Sequence, residues 1–209
     1  MKVKINDLSS PGLYVRVAEA TFEEAGWIYS LLSGFPGAHP PSLSGCLTLV
    51  ERAENIHLQD LLDPSKPNIN EFGFVPLILC LEDQTRIGLI ILHYYNDFGQ
   101  VWEEGNTLKV DKAIIHKDYR GQGYFSKFIK TVTAFFVNEL KVTRSKFKVL
   151  TSAPQVLSSI NYMSPAVGNR KSTPGWVEET DEVIIEYNTA KPSIDPTIPN
   201  ISVEYDVDT

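Results

Sequence analysis

The sequence has few cysteines, few histidines and no long apolar run. Its only two cysteines, Cys46 and Cys80, cannot make a disulfide framework or a four-thiolate zinc site, and both read as buried apolar residues. The 4 histidines are scattered, and no His/Cys/carboxylate cluster has metal-ligand spacing, so no metal is expected. No stretch reaches the ~18 apolar residues of a membrane helix. The N-terminus, MKVKINDLSS, lacks the apolar core of a signal peptide, so a cytoplasmic protein away from membranes is expected. Positive charge is also short. With 19 Lys and Arg against 26 Asp and Glu the net charge is -7, which argues against a general nucleic-acid binder, whose affinity comes mostly from phosphate neutralisation.

What is present is ordinary globular composition, 43% hydrophobic and 22% charged, in a chain long enough for a large core without staples. The charge is unevenly spread. Residues 109–148 hold ten bases and three acids, net +7, while residues 177–209 hold nine acids and one base, net −8. A basic segment inside an acidic protein calls for a reason.

Hydrophobic periodicity sets out the elements. Residues 13–20 alternate as a strand. Thr21, with Glu24 three residues on, starts a helix over about 22–33 as a capping box. A second helix is expected over about 46–62, stopped at Asp63-Pro64. Residues 74–82 and 87–95 are apolar strands joined by four residues, an expected antiparallel hairpin. A strand at about 108–115 leads through the loop HKDYRGQG to a long helix at about 123–141. Phe125, Phe128, Ile129, Val132, Phe135 and Phe136 share one face of that helix. A strand at 146–152, a short helix at 154–163 and, within 175–188, a hairpin or last pair of strands around Glu179 to Asp181 follow. The order makes an α/β layer fold. Residues 1–189 are expected to form one domain. Residues 190–209, with Pro192, Pro196 and Pro199, are expected to be an acidic tail in which ISVEYDV makes a short strand.

The segment that carries chemistry is Ile114 to Phe128. A strand, a loop with Gly121 and Gly123, and a helix start together expose backbone N–H groups at the positive end of a helix dipole. Lys117, Arg120 and Lys127 add charge, so the loop reads as a phosphate or pyrophosphate cradle, the alternative being a basic connector with glycine turns and no ligand. No G-x-x-x-x-G-K-[ST] run occurs, which excludes a Walker loop. The G-x-G-x-x-G of a dinucleotide fold ends here in Ser126, and the acid it needs on a later strand is missing. Coenzyme A remains as the pyrophosphate-bearing ligand.

Arg120-Gly121-Gln122-Gly123-Tyr124-Phe125 resembles the [QR]-x-x-G-x-[GA] signature of the GNAT superfamily of N-acetyltransferases. Phe125 stands where that family has Gly or Ala, with Ser126 next to it. The order of elements over about 13–188 is similar to the family's as well. The resemblance implies a mixed, mainly antiparallel central sheet flanked by helices. It implies acetyl-CoA as co-substrate and a small-molecule or peptide amine acceptor that attacks the thioester directly in a ternary complex. A backbone N–H near Ile114 or Ile115 would polarise the thioester carbonyl. The family's N-x-x-[AS]-x-x-x-Y pattern is approached by Gln155, Ser158 and Tyr162, which makes Tyr162 the candidate acid for the leaving thiolate. Glu103 and Glu104 are the candidate bases. His116 and His57 fit surface positions better and His93 a core position, while Asp111 fits a base and a surface ion pair with Lys109 or Lys112 equally. Tyr94, Tyr95, Phe98 and Trp102 fit a rim sealing the core better than an acceptor pocket. The alternative is a GNAT-like domain that binds CoA or a partner protein without turnover. Oligomeric state is open, a homodimer included.

Overall fold

A computed structural model describes residues 2–6, 12–34, 42–54, 74–95, 107–140, 144–150, 168–174, 180–187 and 200–204. In chain order the elements are β1 (Lys2–Asn6), β2 (Tyr14–Val17), α1 (Phe22–Ser33), α2 (Leu43–Glu54), β3 (Val75–Cys80), β4 (Arg86–Tyr95), β5 (Thr107–Ile115), α3 (Tyr124–Leu140), β6 (Arg144–Leu150), β7 (Gly168–Pro174), β8 (Thr180–Tyr187) and β9 (Asn200–Glu204). The strands form one sheet in the order β7-β8-β6-β5-β4-β3-β2-β1-β9. All neighbours are antiparallel except β5 and β6, which are parallel because α3 crosses over between them. This is the mixed, mainly antiparallel sheet expected from the resemblance.

Alternation along the strands gives the sheet two apolar faces. On one, Tyr14, Ile78, Cys80, Leu89, Ile91 and Ile114 pack with Ala25, Ile28 and Leu32 of α1 and Cys46 and Val50 of α2. On the other, α3 lies along β5 with Phe128, Ile129, Val132 and Phe135 buried. Gly88 permits the close approach there. A Cβ on it would stand 2.8 Å from Ile115 Cδ1 and 3.2 Å from Phe128 Cδ1.

Helix α1 has the bounds its sequence predicts, and the Glu24 N–H donates to Thr21 Oγ1 at 3.1 Å. The capping box is only half made. The Thr21 N–H donates to the Glu19 carbonyl instead, at 2.8 Å, and the Glu24 carboxylate turns inward. There Glu24, 1% exposed, accepts from Arg16 at 2.6 and 2.9 Å, from the Glu19 N–H at 2.6 Å and from Arg86 at 3.4 Å. Arg86 reaches on to Glu23 at 2.6 Å and lies over the Trp27 ring. Burial pushes the Glu24 carboxyl up. The hydrogen bonds from Arg16 and the Glu19 amide outweigh it and hold the group below the usual carboxylate range. One buried carboxylate thus ties α1 to β2 and β4.

Three expectations are corrected. Helix α2 begins at Leu43, because Ser42 Oγ accepts the Gly45 N–H at 3.1 Å and caps it three residues early; residues 55–62 lie outside the described residues. The last hairpin is not folded around Glu179 to Asp181. Thr180 and Asp181 lie within β8, whose partner is β7, Gly168–Pro174. That partner, GNRKSTP, is poor in strand formers, so its pairing to β8 and not its propensity makes it a strand. The N-terminal KVKIN, not anticipated as a strand, is β1. It pairs with β2 on one side and with β9 on the other, so Asn200–Glu204 is an outer strand of the sheet.

Candidate active site

The site is built around a defect in β5. Against β4, Ile91 pairs with Lys112 and Leu92 pairs with Val110, so Asp111 is an extra residue, a β-bulge. Bulges bend a strand and increase its twist. On the other side β5 pairs in parallel with β6 only from Thr107–Arg144 to Val110–Phe147. The ladder ends there among the described residues, one residue before the bulge, although β5 runs on to Ile115 and β6 to Leu150. Past Val110–Phe147 the described residues of β5 and β6 are not paired, and the unpaired edge, a V closed at Val110, has the backbone of residues 111–115 as one arm.

That arm leads directly into the glycine loop. The His116 N–H donates to the Ile87 carbonyl at 2.9 Å, which ends β5, and Lys117–Tyr119 form a short 3-10 helix. His116 Nδ1 accepts weakly from the Asp118 N–H at 3.5 Å and lies 3.7 Å from Asp118 Oδ2. His116 therefore caps this turn. Arg120 spans the loop: its Nε donates to the Ile115 carbonyl at 2.9 Å, fixing the loop to the end of β5. Gln122 Nε2 donates to the Asp118 carbonyl at 3.4 Å.

Gly121 and Gly123 have φ of +77° and +78°, the left-handed region that glycine enters without a Cβ penalty. A Cβ on either would meet nothing within 4 Å, so open space adjoins both backbones. The first i to i−4 bond of α3 runs from the Lys127 N–H to the Gly123 carbonyl at 3.3 Å. The amides of Tyr124 and Phe125 precede it and have no intrahelical acceptor. An exposed glycine corner of this kind at a helix N-terminus fits a pyrophosphate, by dipole and by donor count.

Of the cradle residues named from sequence, the structure joins all nine in one continuous feature. Ile114 and Ile115 end β5 and are buried on opposite sides of the sheet, Ile114 with Leu89 and Ile91, Ile115 beside Gly88 and Phe128. Arg120, Gly121, Gln122 and Gly123 are exposed. Tyr124, Phe125 and Ser126 form the first turn of α3, each half-buried, with Tyr119 edge-on to Tyr124 at 6.4 Å. Asp111 is the bulge residue, 4.0 Å from Lys112 Nζ. His93 is in β4 opposite Lys109. Tyr162, Glu103 and Glu104, with Gln155, Ser158, His57, Phe98 and Trp102, lie outside the described residues. The bulge and the parting of β5 from β6 were not anticipated. Their one sequence signal is the charged pair Asp111-Lys112 breaking the alternation of Leu108 and Val110 with Ile114.

The cysteines are fully buried, and burial pushes both thiols up, so neither is prepared as a nucleophile. Among the described residues no group of three His, Cys, Asp or Glu could hold a metal ion, and no helix is long and apolar enough to cross a membrane.

No family model matches the chain, and no curated protein matches its sequence. Solved structures do match its fold. A spermidine N-acetyltransferase SpeG chimera from Vibrio cholerae and hSSAT superposes with TM-score 0.59 at 13% identity, covering 84% of this chain and 95% of that one. A GNAT-family acetyltransferase from Bacillus anthracis gives 0.56 at 13%, over 91% and 100% of the two chains. Apo FdhC, a nucleotide-linked sugar GNAT, gives 0.60 at 14%, over 89% and 90%. At such identity the similarity speaks for the fold, and the fold is that of the GNAT acetyltransferases.

Proposed function

We propose that the protein is an acetyl-CoA-dependent N-acyltransferase that moves an acetyl group to a primary amine by direct attack in a ternary complex. The observation that carries this is the coincidence, on one strand, of the Asp111 bulge, the parting from β6 and the left-handed glycine loop. The pyrophosphate of the co-substrate would take the amides at Gly121 to Phe125. Its pantetheine arm would lie in the V and use the backbone of residues 111–115 as an added strand does. A backbone N–H near Ile114 or Ile115 would then meet the charge that develops on the thioester oxygen. Buried thiols with raised pKa support direct attack over an acyl-cysteine route. Tyr162 is the proposed acid for the leaving thiolate, and Glu103 or Glu104 the base for the acceptor ammonium.

The domain is taken as residues 1–189, with 190–209 following and Asn200–Glu204 of that stretch in the sheet. A cytoplasmic setting suits the co-substrate and the two free thiols. Spermidine and a nucleotide-linked sugar, for which two of the similar proteins are named, differ in charge and leave the acceptor class open. Calorimetric titration with CoA, beside thiol release from acetyl-CoA with a panel of amines, tests the proposal. Binding with amine-dependent release is expected. Tight binding with no release on any amine would favour a non-catalytic CoA-binding domain, and absence of binding would end both readings.

A further inference from the structure

Two tyrosines flank the glycine corner, and an anion cradle alone leaves them unexplained. Tyr119 ends the 3-10 turn before Arg120, and Tyr124 is the first residue of α3. The loop folds so that the two rings meet, centroids 6.4 Å apart and planes inclined at 64°. His116 extends the row, 6.1 Å from Tyr119 and tilted at 59°. The four residues between the tyrosines, Arg120 to Gly123, are exposed, while all three rings are half-buried. Among the described residues neither tyrosine hydroxyl has a hydrogen-bond partner, so what the loop holds in place is ring surface.

Two rings inclined in this way are the walls of a corner. A flat aromatic group lies against one wall with its edge toward the other, in the stacked and edge-on arrangements that aromatic rings prefer. An apolar corner beside an anion cradle therefore suits a ligand with a flat ring next to its pyrophosphate. CoA has that shape. Its adenosine hangs from the end of the pyrophosphate opposite the pantetheine arm. With the pyrophosphate on the amides at Gly121 to Phe125 and the arm in the V, the adenosine is left beside the loop. Tyr124 carries one of those amides, so its ring is one side chain away from the phosphates, a gap that a ribose spans. A 4'-phosphopantetheine on a carrier protein ends at its single phosphate and has no ring to place there.

We propose that Tyr119 and Tyr124 are the platform for the adenine of CoA, and that the acyl donor is free acetyl-CoA and not a carrier protein. This rests on the CoA reading of the cradle. It is independent of the acceptor and of the acid and base assigned above.

The full-length protein is titrated calorimetrically with CoA and with 4'-phosphopantetheine. The wild type is expected to bind CoA the more tightly. In the double variant Tyr119→Leu with Tyr124→Leu, CoA affinity is expected to fall about 5- to 150-fold, the scale of one stacked base. Affinity for 4'-phosphopantetheine is expected to stay within about twofold, because the amide of residue 124 is kept. The double variant Tyr119→Phe with Tyr124→Phe keeps the rings and is expected to bind CoA like the wild type. Independently of any variant, the adenine H2 and H8 proton signals of CoA are expected to move upfield on binding, through the ring currents of the tyrosines.

Wild-type CoA affinity in the leucine variant, an equal loss for both ligands, or adenine protons that do not move would overturn the platform while leaving the cradle in place. An equal loss together with a lowered melting temperature would mark the tyrosines as a staple of the loop and overturn it likewise. No binding of CoA by the wild type would end the acyltransferase reading itself, and the platform with it.

Discussion

Gly123→Asp separates the fold from the cradle. The residue has φ +78°, where an L side chain costs about 1–2 kcal/mol and aspartate, which tolerates this region, falls near the lower end. Nothing lies within 4 Å of the added Cβ, so no steric cost is added. For a chain of this length, ~1 kcal/mol lowers Tm by about 2–4 °C. Binding is hit harder. A carboxylate roughly 5 Å from a bound pyrophosphate, on an exposed loop, opposes it by about 2–4 kcal/mol, or roughly 30- to 1000-fold in affinity. The assay is calorimetric titration with CoA at low and high salt, beside a thermal melt. The penalty is expected to shrink as salt rises, because the loop is exposed and a Debye length at 0.1 M is about 10 Å. Wild-type affinity for CoA in this variant would refute the cradle. A collapse of Tm matching the loss of binding would place the effect in the fold instead.

Other consequences follow from the core and the catalytic assignment. Glu24→Leu leaves Arg16 and Arg86 without their buried carboxylate and should cost about 3 kcal/mol, near the low end for a broken buried pair because both arginines are partly exposed. Urea unfolding measures it, and a loss under about 1 kcal/mol would contradict the network's role. Because the folded state holds the Glu24 carboxyl below its ordinary range, its contribution is fully present above the unfolded value of about 4.3. It is lost as pH falls through the lower folded value. Unfolding curves from neutral to acid pH should show that loss in the wild type and a flatter acid limb in Glu24→Gln. Gly88→Ala puts a Cβ 2.8 Å from Ile115 Cδ1 and 3.3 Å from the Ile114 carbonyl oxygen, so a loss of about 1–3 kcal/mol is expected, and a neutral result would show that α3 can recede from β5. Tyr162→Phe should lower turnover while leaving CoA affinity unchanged, and equal turnover in both proteins would remove Tyr162 as the acid.

The parts of the fold legible in sequence are those where local signals agree. Thr21 with Glu24, the apolar hairpin around Asp83 and Gln84, and the six-residue apolar face of α3 each set their element by capping, turn or period. The conformation of the glycine loop was legible for the same reason, since Gly121 and Gly123 adopt backbone angles that other residues resist. What escaped is long-range. The β7 sequence, GNRKSTP, has no strand propensity and is held by β8. The bulge at Asp111 exists only relative to β4, and the opening of the V only relative to β6. Glu24 looked like half of a capping box because nothing local reveals that Arg16 and Arg86 converge on it from two strands.

If, as proposed, the acceptor amine attacks a thioester held on β5 and the glycine loop, no acyl-enzyme forms. Initial rates of thiol release, with acetyl-CoA and an amine acceptor both varied, test it most directly. Amine-dependent release with intersecting double-reciprocal lines is the predicted result. Parallel lines, or release of CoA in a stoichiometric burst without amine, would mean a covalent intermediate and contradict the account.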